Sequence, residues 1–214
     1  MEKSITALEP QKNNPRRVNV YLDHEFAFGL SRIVAAWLQV GEKLNAEKIQ
    51  ELIRRDEYEK ALQLALRYIA YQPRTTLEVR SRLEKAGCEI AAIDEIVREL
   101  VEKNHLNDER YAQDWIETRA TSKPRSYRFF FYELKRKGVA EDAISQAMHL
   151  APSEKEMAYT LGLKYQARFS HLDEVQFKKK MQGVLARRAF PYDVIRETID
   201  QLIDQRNLEE KIMR

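Results

Sequence analysis

Cysteine is nearly absent from this chain: Cys88 is the only one. No internal disulfide can form, and a reducing, cytosolic setting is expected. Only 6 glycines and 6 prolines stand among 214 residues, which leaves little room for a loop-rich fold. No apolar run approaches the roughly 18–20 residues needed to span a bilayer. The first residues lack the apolar stretch of a secretory leader. Four histidines, His24, His105, His149 and His171, lie far apart, none at ligand spacing with another His or Cys; no metal site is expected. There is no glycine-rich phosphate loop and no Gly-x-Ser-x-Gly elbow. The carboxylates fall on helix faces and caps, where nothing singles out a catalytic pair. Cys88, just after Gly87, reads as a small packed or half-exposed residue. No catalytic residue, cofactor or enzymatic activity is expected.

What the chain does have is a period. Leu83-Glu84-Lys85-Ala86-Gly87, followed by Ile93, Ile96, Val97 and Leu100, recurs 51 residues later. There it reads Leu134-Lys135-Arg136-Lys137-Gly138, followed by Ile144, Ala147, Met148 and Ala151. A third copy reads Leu185-Ala186-Arg187-Arg188-Ala189, then Ile195, Thr198, Ile199 and Leu202. Pro73-Arg74 is echoed at Pro124-Arg125. A fixed period marks a repeated supersecondary unit whose copies bury apolar faces against one another. Such proteins are usually binding surfaces. Ala, Leu, Glu, Lys, Arg and Gln dominate the composition, favouring helix, and 43% apolar residues suffice for a core.

The first 30 residues do not read as helix. Val18, Val20 and Leu22 alternate with polar partners, as do Phe26, Phe28 and Leu30, around a two-residue Asp23-His24 turn. Ile5–Leu8 adds a third strand through a polar loop at Gln11–Arg17. The phenylalanines are expected to pack against a following helix carrying Ile33, Val34, Trp37 and Leu38 and ending at Gly41. Asn45 suits the cap of the next helix, whose Ile49, Leu52 and Ile53 share a face.

Three helices per repeat follow. In the first, Ala61, Leu62, Ala65, Leu66 and Ile69 form a stripe broken at Tyr71-Gln72-Pro73-Arg74. Thr75 with Glu78 then makes a capping box, and Gly87 suits a left-handed helix end. The second repeat opens at Asn107-Asp108-Glu109 and runs through Tyr111, Ala112, Trp115 and Ile116. Phe129, Phe130 and Phe131 cannot all face one core, since neighbours stand about 100° apart on a helix; some are expected to touch an adjacent unit or a partner, with packing between units the favoured reading. The third starts at Ser153 with Glu156 as a second capping box. Its stripe is Ala158, Leu161, Leu163, Tyr165 and Ala167, its break is expected at Val175-Gln176, and Pro191 opens its last helix. The expected division is 1–55, 56–106, 107–152, 153–206 and a polar, frayed tail at 207–214.

Net charge is only +3, but it is unevenly placed. Seven basic residues, Arg119, Lys123, Arg125, Arg128, Lys135, Arg136 and Lys137, stand against Glu133 alone. A second cluster holds Lys178, Lys179, Lys180, Arg187 and Arg188. Such faces attract polyanions or acidic proteins; solvated mixed-charge helix faces are the plainer reading.

These motifs, taken in order, resemble the RecX family of recombinase regulators. The carriers are Ala61-Leu62 through Leu66, Tyr71-Gln72-Pro73-Arg74-Thr75 and Leu83–Gly87. They continue with Leu106-Asn107-Asp108-Glu109-Arg110-Tyr111-Ala112 and Glu133-Leu134-Lys135-Arg136-Lys137-Gly138-Val139. Val18–Phe28 is similar to the leader of longer members. The sequence departs at Ser122-Lys123-Pro124, where many members carry a glycine before the proline.

The resemblance implies a mainly α protein: tandem three-helix repeats in an elongated array, after a small β-hairpin and helix domain. It also implies a cytoplasmic, monomeric regulator of the RecA–single-stranded-DNA filament that lowers recombinase and ATPase activity from the filament groove. DNA itself, single- or double-stranded, is a further partner considered. On charge, the expected binding residues are Arg125, Arg128, Lys135, Arg136 and Lys137. Lys178, Lys179, Lys180, Arg187 and Arg188 come next, then Arg74, Arg80 and Arg82. A stand-alone helical DNA-binding protein and a scaffold for an acidic protein are the competing readings.

Overall fold

The two-residue Asp23-His24 turn forms as expected, with both residues at positive φ, 51° and 71°. That is the backbone twist a tight hairpin requires. This is a computed structural model describing residues 2–212, and its chain divides into two compact units, Met1–Leu106 and Asn107–Arg214.

In the first unit, β1 (Lys3–Gln11), β2 (Asn14–Leu22), β3 (Glu25–Ser31) and β4 (Lys43–Leu44) form an antiparallel sheet ordered β3-β2-β1-β4. The expected loop at Gln11–Arg17 shrinks to Lys12-Asn13, because Asn14–Arg17 join the ladder. The helix expected up to Gly41 is a single turn, α1 (Arg32–Ala35). Backbone pairing explains the loss: Gly41 N donates to Ile5 O at 2.8 Å, and Ile5 N donates to Glu42 O at 2.9 Å. This segment therefore follows the sheet edge. Phe28, Val34 and Leu38 are partly buried against one core, as expected, whereas Phe26, Ile33 and Trp37 are exposed. The core here is Ile5, Val20, Leu22, Leu30, Ala35, Leu44 and Leu52.

The long helix α2 (Ala46–Tyr71) is capped by Asn45, whose side chain accepts from Lys48 N at 2.8 Å. It runs unbroken through position 55/56, where a boundary was expected. Its buried Asp56 fastens helix to sheet. The carboxylate accepts from Arg17 Nη2 at 3.0 Å, Lys60 Nζ at 2.7 Å and Ser31 N at 2.5 Å. Burial pushes its pKa up, but the bonds from Lys60, Ser31 and Arg17 outweigh that and hold it below the usual carboxylate value.

The second half of α2, with α3 (Thr76–Glu84) and α4 (Ile90–Glu102), forms the first repeat. Thr75 and Glu78 make the expected capping box. Val79, Leu83, Ile93, Ile96, Val97 and Leu100 join Ala61 and Ala65 in its core.

The second unit holds α5 (Asp108–Ser122), α6 (Tyr127–Arg136), α7 (Glu141–His149), α8 (Glu154–Gln166), α9 (Glu174–Ala186) and α10 (Tyr192–Ile212). A 3₁₀ turn, Ala167–Phe169, follows α8. The period survives to the residue: α4, α7 and α10 begin at 90, 141 and 192. The second and third repeats share one core, in which Phe130, Leu134, Phe177, Met181 and Leu185 are fully buried. Phe129 and Phe131 are partly buried against that same core. Backbone and side chains stitch the repeats together: Ser126 N donates to Arg188 O at 3.2 Å, and Tyr127 N donates to Glu154 Oε1 at 2.5 Å.

The third repeat departs from expectation in three places. Its break is at Ser170–Asp173, and α9 already covers Val175-Gln176. Asp173, accepting from Gln176 N at 2.8 Å, starts α9 early, and Phe177 stands buried where Thr75 and Ser126 cap the earlier copies. The inner face of α8 is Met157, Ala158, Leu161 and Gly162, while Leu163 is exposed. The tail expected to fray is helical to Ile212; Met213 and Arg214 lie outside the described residues.

Candidate partner-binding surface

Helix α6 supplies the densest of the expected positions. Ser126 caps it, accepting from Phe129 N at 3.2 Å, and this fixes the first turn. Arg125 then stacks its guanidinium over the Phe129 ring, 4.1 Å from the centroid. Arg128 lies 5.7 Å over Tyr132 in the same way. Each pair is four residues apart, one helical turn, the spacing at which side chains meet. Arg119, 4.6 Å over Trp115, repeats the pattern on α5. It belongs to the basic run but not to the expected binding set; the aromatic-to-arginine spacing of four was the signal available for it. Cation–aromatic stacking holds a guanidinium in place without neutralising it.

At the other end of α6 the charges are already engaged. Lys135 donates to Glu141 at 2.9 Å, and Arg136 lies 3.8 Å from Glu133. Lys137 sits 5.4 Å over Tyr111. On α9, Lys178 donates to Glu174 at 2.7 Å, and that hydrogen bond raises its pKa. Lys179, Lys180 and Arg187 are exposed. The Ser126–Arg188 backbone bond brings the start of α6 to the end of α9. Arg125 and Arg187–Arg188 therefore converge on one region of the second unit.

The first-repeat set lies in the other unit. Arg74 stacks 4.0 Å over Tyr68, Arg80 pairs with Asp94 at 2.5 Å, and Arg82 is exposed. Among the described residues, no cluster of three or more His, Cys, Asp or Glu side chains is arranged to hold a metal ion. No helix among them is long and apolar enough to cross a membrane.

Four family models match successive stretches of the chain. Residues 3–45 match the regulatory protein RecX N-terminal domain, and residues 61–100, 107–148 and 153–199 match the first, second and third RecX three-helix domains. The chain belongs to the RecX family of regulatory proteins. The regulatory protein RecX of Clostridium perfringens is 31% identical over 212 residues, covering 96% of this chain and 99% of that protein. That of Bacillus cytotoxicus is 29% identical, covering 95% of this chain and 78% of its relative. A crystal structure of regulatory protein RecX superposes with a TM-score of 0.71 at 26% identity, over 92% of this chain and 99% of that one. RecX from Lactobacillus salivarius gives 0.62 at 27% identity, over 69% and 97%. The RecX fold is thus mainly helical, built of three-helix domains behind a small N-terminal sheet.

Proposed function

We propose that this RecX-family chain binds the RecA–single-stranded-DNA filament and lowers its recombinase and ATPase activities. The stacked arginines at the start of α6 carry this reading: Arg125 and Arg128 are held over aromatic rings and have no carboxylate within salt-bridge distance among the described residues. Preorganised cations of this kind suit phosphates or acidic protein surfaces. Repeated units each contribute modest contacts, and several at once give affinity through effective concentration. Cations close to filament DNA gain further from counterion release. Bridging neighbouring protomers would then oppose strand exchange sterically.

The variant Arg125→Glu/Arg128→Glu/Lys179→Glu/Lys180→Glu tests this. Inhibition of RecA ATPase should weaken on the order of tenfold, or ~1.4 kcal/mol, with helicity unchanged. Lys135→Glu should weaken it less, because Glu141 already engages that ammonium. Undiminished inhibition at physiological salt would remove α6 and α9 from the interface. Tight sequence-specific duplex binding without RecA would favour a stand-alone DNA-binding role.

A further inference from the structure

Within the first unit an open cleft of about 1400 Å³ lies between the β2–β3 ladder, α1 and α2. That exceeds the ~300–1,000 Å³ of most small-molecule pockets, so an extended ligand fits it better than a lone nucleotide. Its wall carries Arg16, Arg32 and Arg67, all exposed, while Glu59 is the only carboxylate among the described lining residues. Arg17 and Lys60 also line it, but both are fastened to the buried Asp56 and set the floor. Glu59 accepts from Gln63 at 3.0 Å. The cleft is therefore cationic at its rim and fixed beneath.

The same wall is also apolar where a soluble protein has least reason to be. Ile33 lines the cleft at 64% exposure, and Trp37, one residue past the lining Ala36, is 88% exposed. The sheet-edge pairing of Gly41 and Glu42 with Ile5 keeps this segment out of the core. An exposed indole one residue from a wall that carries guanidinium groups matches a ligand that offers a flat ring and an anion at each step. A single strand of nucleotides does so, and base stacking on an aromatic face is tolerant of sequence. Duplex bases are closed to an indole, and an acidic peptide has carboxylates without the flat rings.

We propose that this cleft is a binding site for single-stranded nucleic acid, with Arg16, Arg32 and Arg67 on the phosphates and Ile33 and Trp37 against the bases. The proposal stands apart from the function above, since it needs no RecA. The chain holds only 2 tryptophans, so Trp115→Phe leaves Trp37 as the sole indole and keeps an aromatic ring against Phe130. In that full-length variant, oligothymidylate of about ten nucleotides, within the usual site size, should quench Trp37 fluorescence. Adding Arg16→Gln, Arg32→Gln and Arg67→Gln should weaken binding on the order of tenfold. It should also reduce the slope of log affinity against log salt by about 2, at ~0.7 per lost phosphate contact. Unchanged circular dichroism controls for folding, and Lys135→Glu/Arg136→Glu should leave the quenching intact. No quenching by the oligonucleotide, quenching that survives the three glutamine substitutions, or a response to poly-glutamate in its place would each overturn the proposal.

Discussion

Position 189 carries an alanine where the two earlier repeats have glycine. All three adopt the left-handed conformation, with φ of 78° at Gly87, 83° at Gly138 and 64° at Ala189. The hydrogen bonds are copied as well: Cys88, Val139 and Phe190 donate back to Leu83, Leu134 and Leu185 at 3.2, 3.1 and 3.4 Å. This is the Schellman closure of a helix end. An L side chain there is strained by roughly 1–2 kcal/mol. Ala189→Gly should therefore stabilise the second unit by about 0.5–1 kcal/mol, read from urea unfolding. Gly87→Ala should destabilise by about 1 kcal/mol, because nothing lies within 4 Å of the added Cβ and only the backbone term remains. Asp56 gives a second test at this scale. Its folded pKa is lowered, so its contribution is complete above the unfolded carboxylate value of about 3.9. It fades as pH falls through the folded value. Asp56→Asn should lower the melting temperature at neutral pH and flatten the acid limb of the stability–pH curve; an unchanged acid limb would show that the clamp contributes nothing.

At the scale of elements, the period was the strongest signal. It located α4, α7 and α10, whose starts keep the 51-residue spacing to the residue. Local chemistry did the same for caps: Asn45, Thr75, Asn107 and Ser153 each accept from a backbone N–H three residues on. Apolar pattern alone misled where backbone pairing competed. Ile33, Val34, Trp37 and Leu38 have helical spacing, yet the bonds of Gly41 and Glu42 to Ile5 draw that stretch along the sheet edge. The third break also escaped, because Asp173 caps a longer α9 and Phe177 fills the core where a polar cap was due. Of the binding set, the aromatic backing of Arg125 and Arg128 was readable as a four-residue spacing. The Glu174 partner of Lys178 was readable in the same way, whereas Glu141 beside Lys135 and Asp94, 14 residues from Arg80, could be seen only in three dimensions. Phe130, fully buried between α5 and its own helix and edge-on to Trp115 at 5.5 Å, is the element-scale probe. Phe130→Ala should cost about 3–5 kcal/mol and destabilise the second and third repeats together, since they share one core. Loss of the second repeat alone, with α8–α10 still cooperatively folded, would contradict that.

At the scale of the molecule, the packing core and the charged surface follow different rules within one period. The stripes at 93–100, 144–151 and 195–202 recur because each repeat must bury a face. The basic residues at 135–137 and 187–188 sit beside the repeated turn and are not needed for burial. The measurement that bears most directly on the central claim is a titration of this protein into RecA assembled on single-stranded DNA, following ATP hydrolysis and strand exchange. The account predicts that both fall at amounts stoichiometric with the filament, and that added salt relieves the inhibition. Rates unchanged at stoichiometric protein would contradict it.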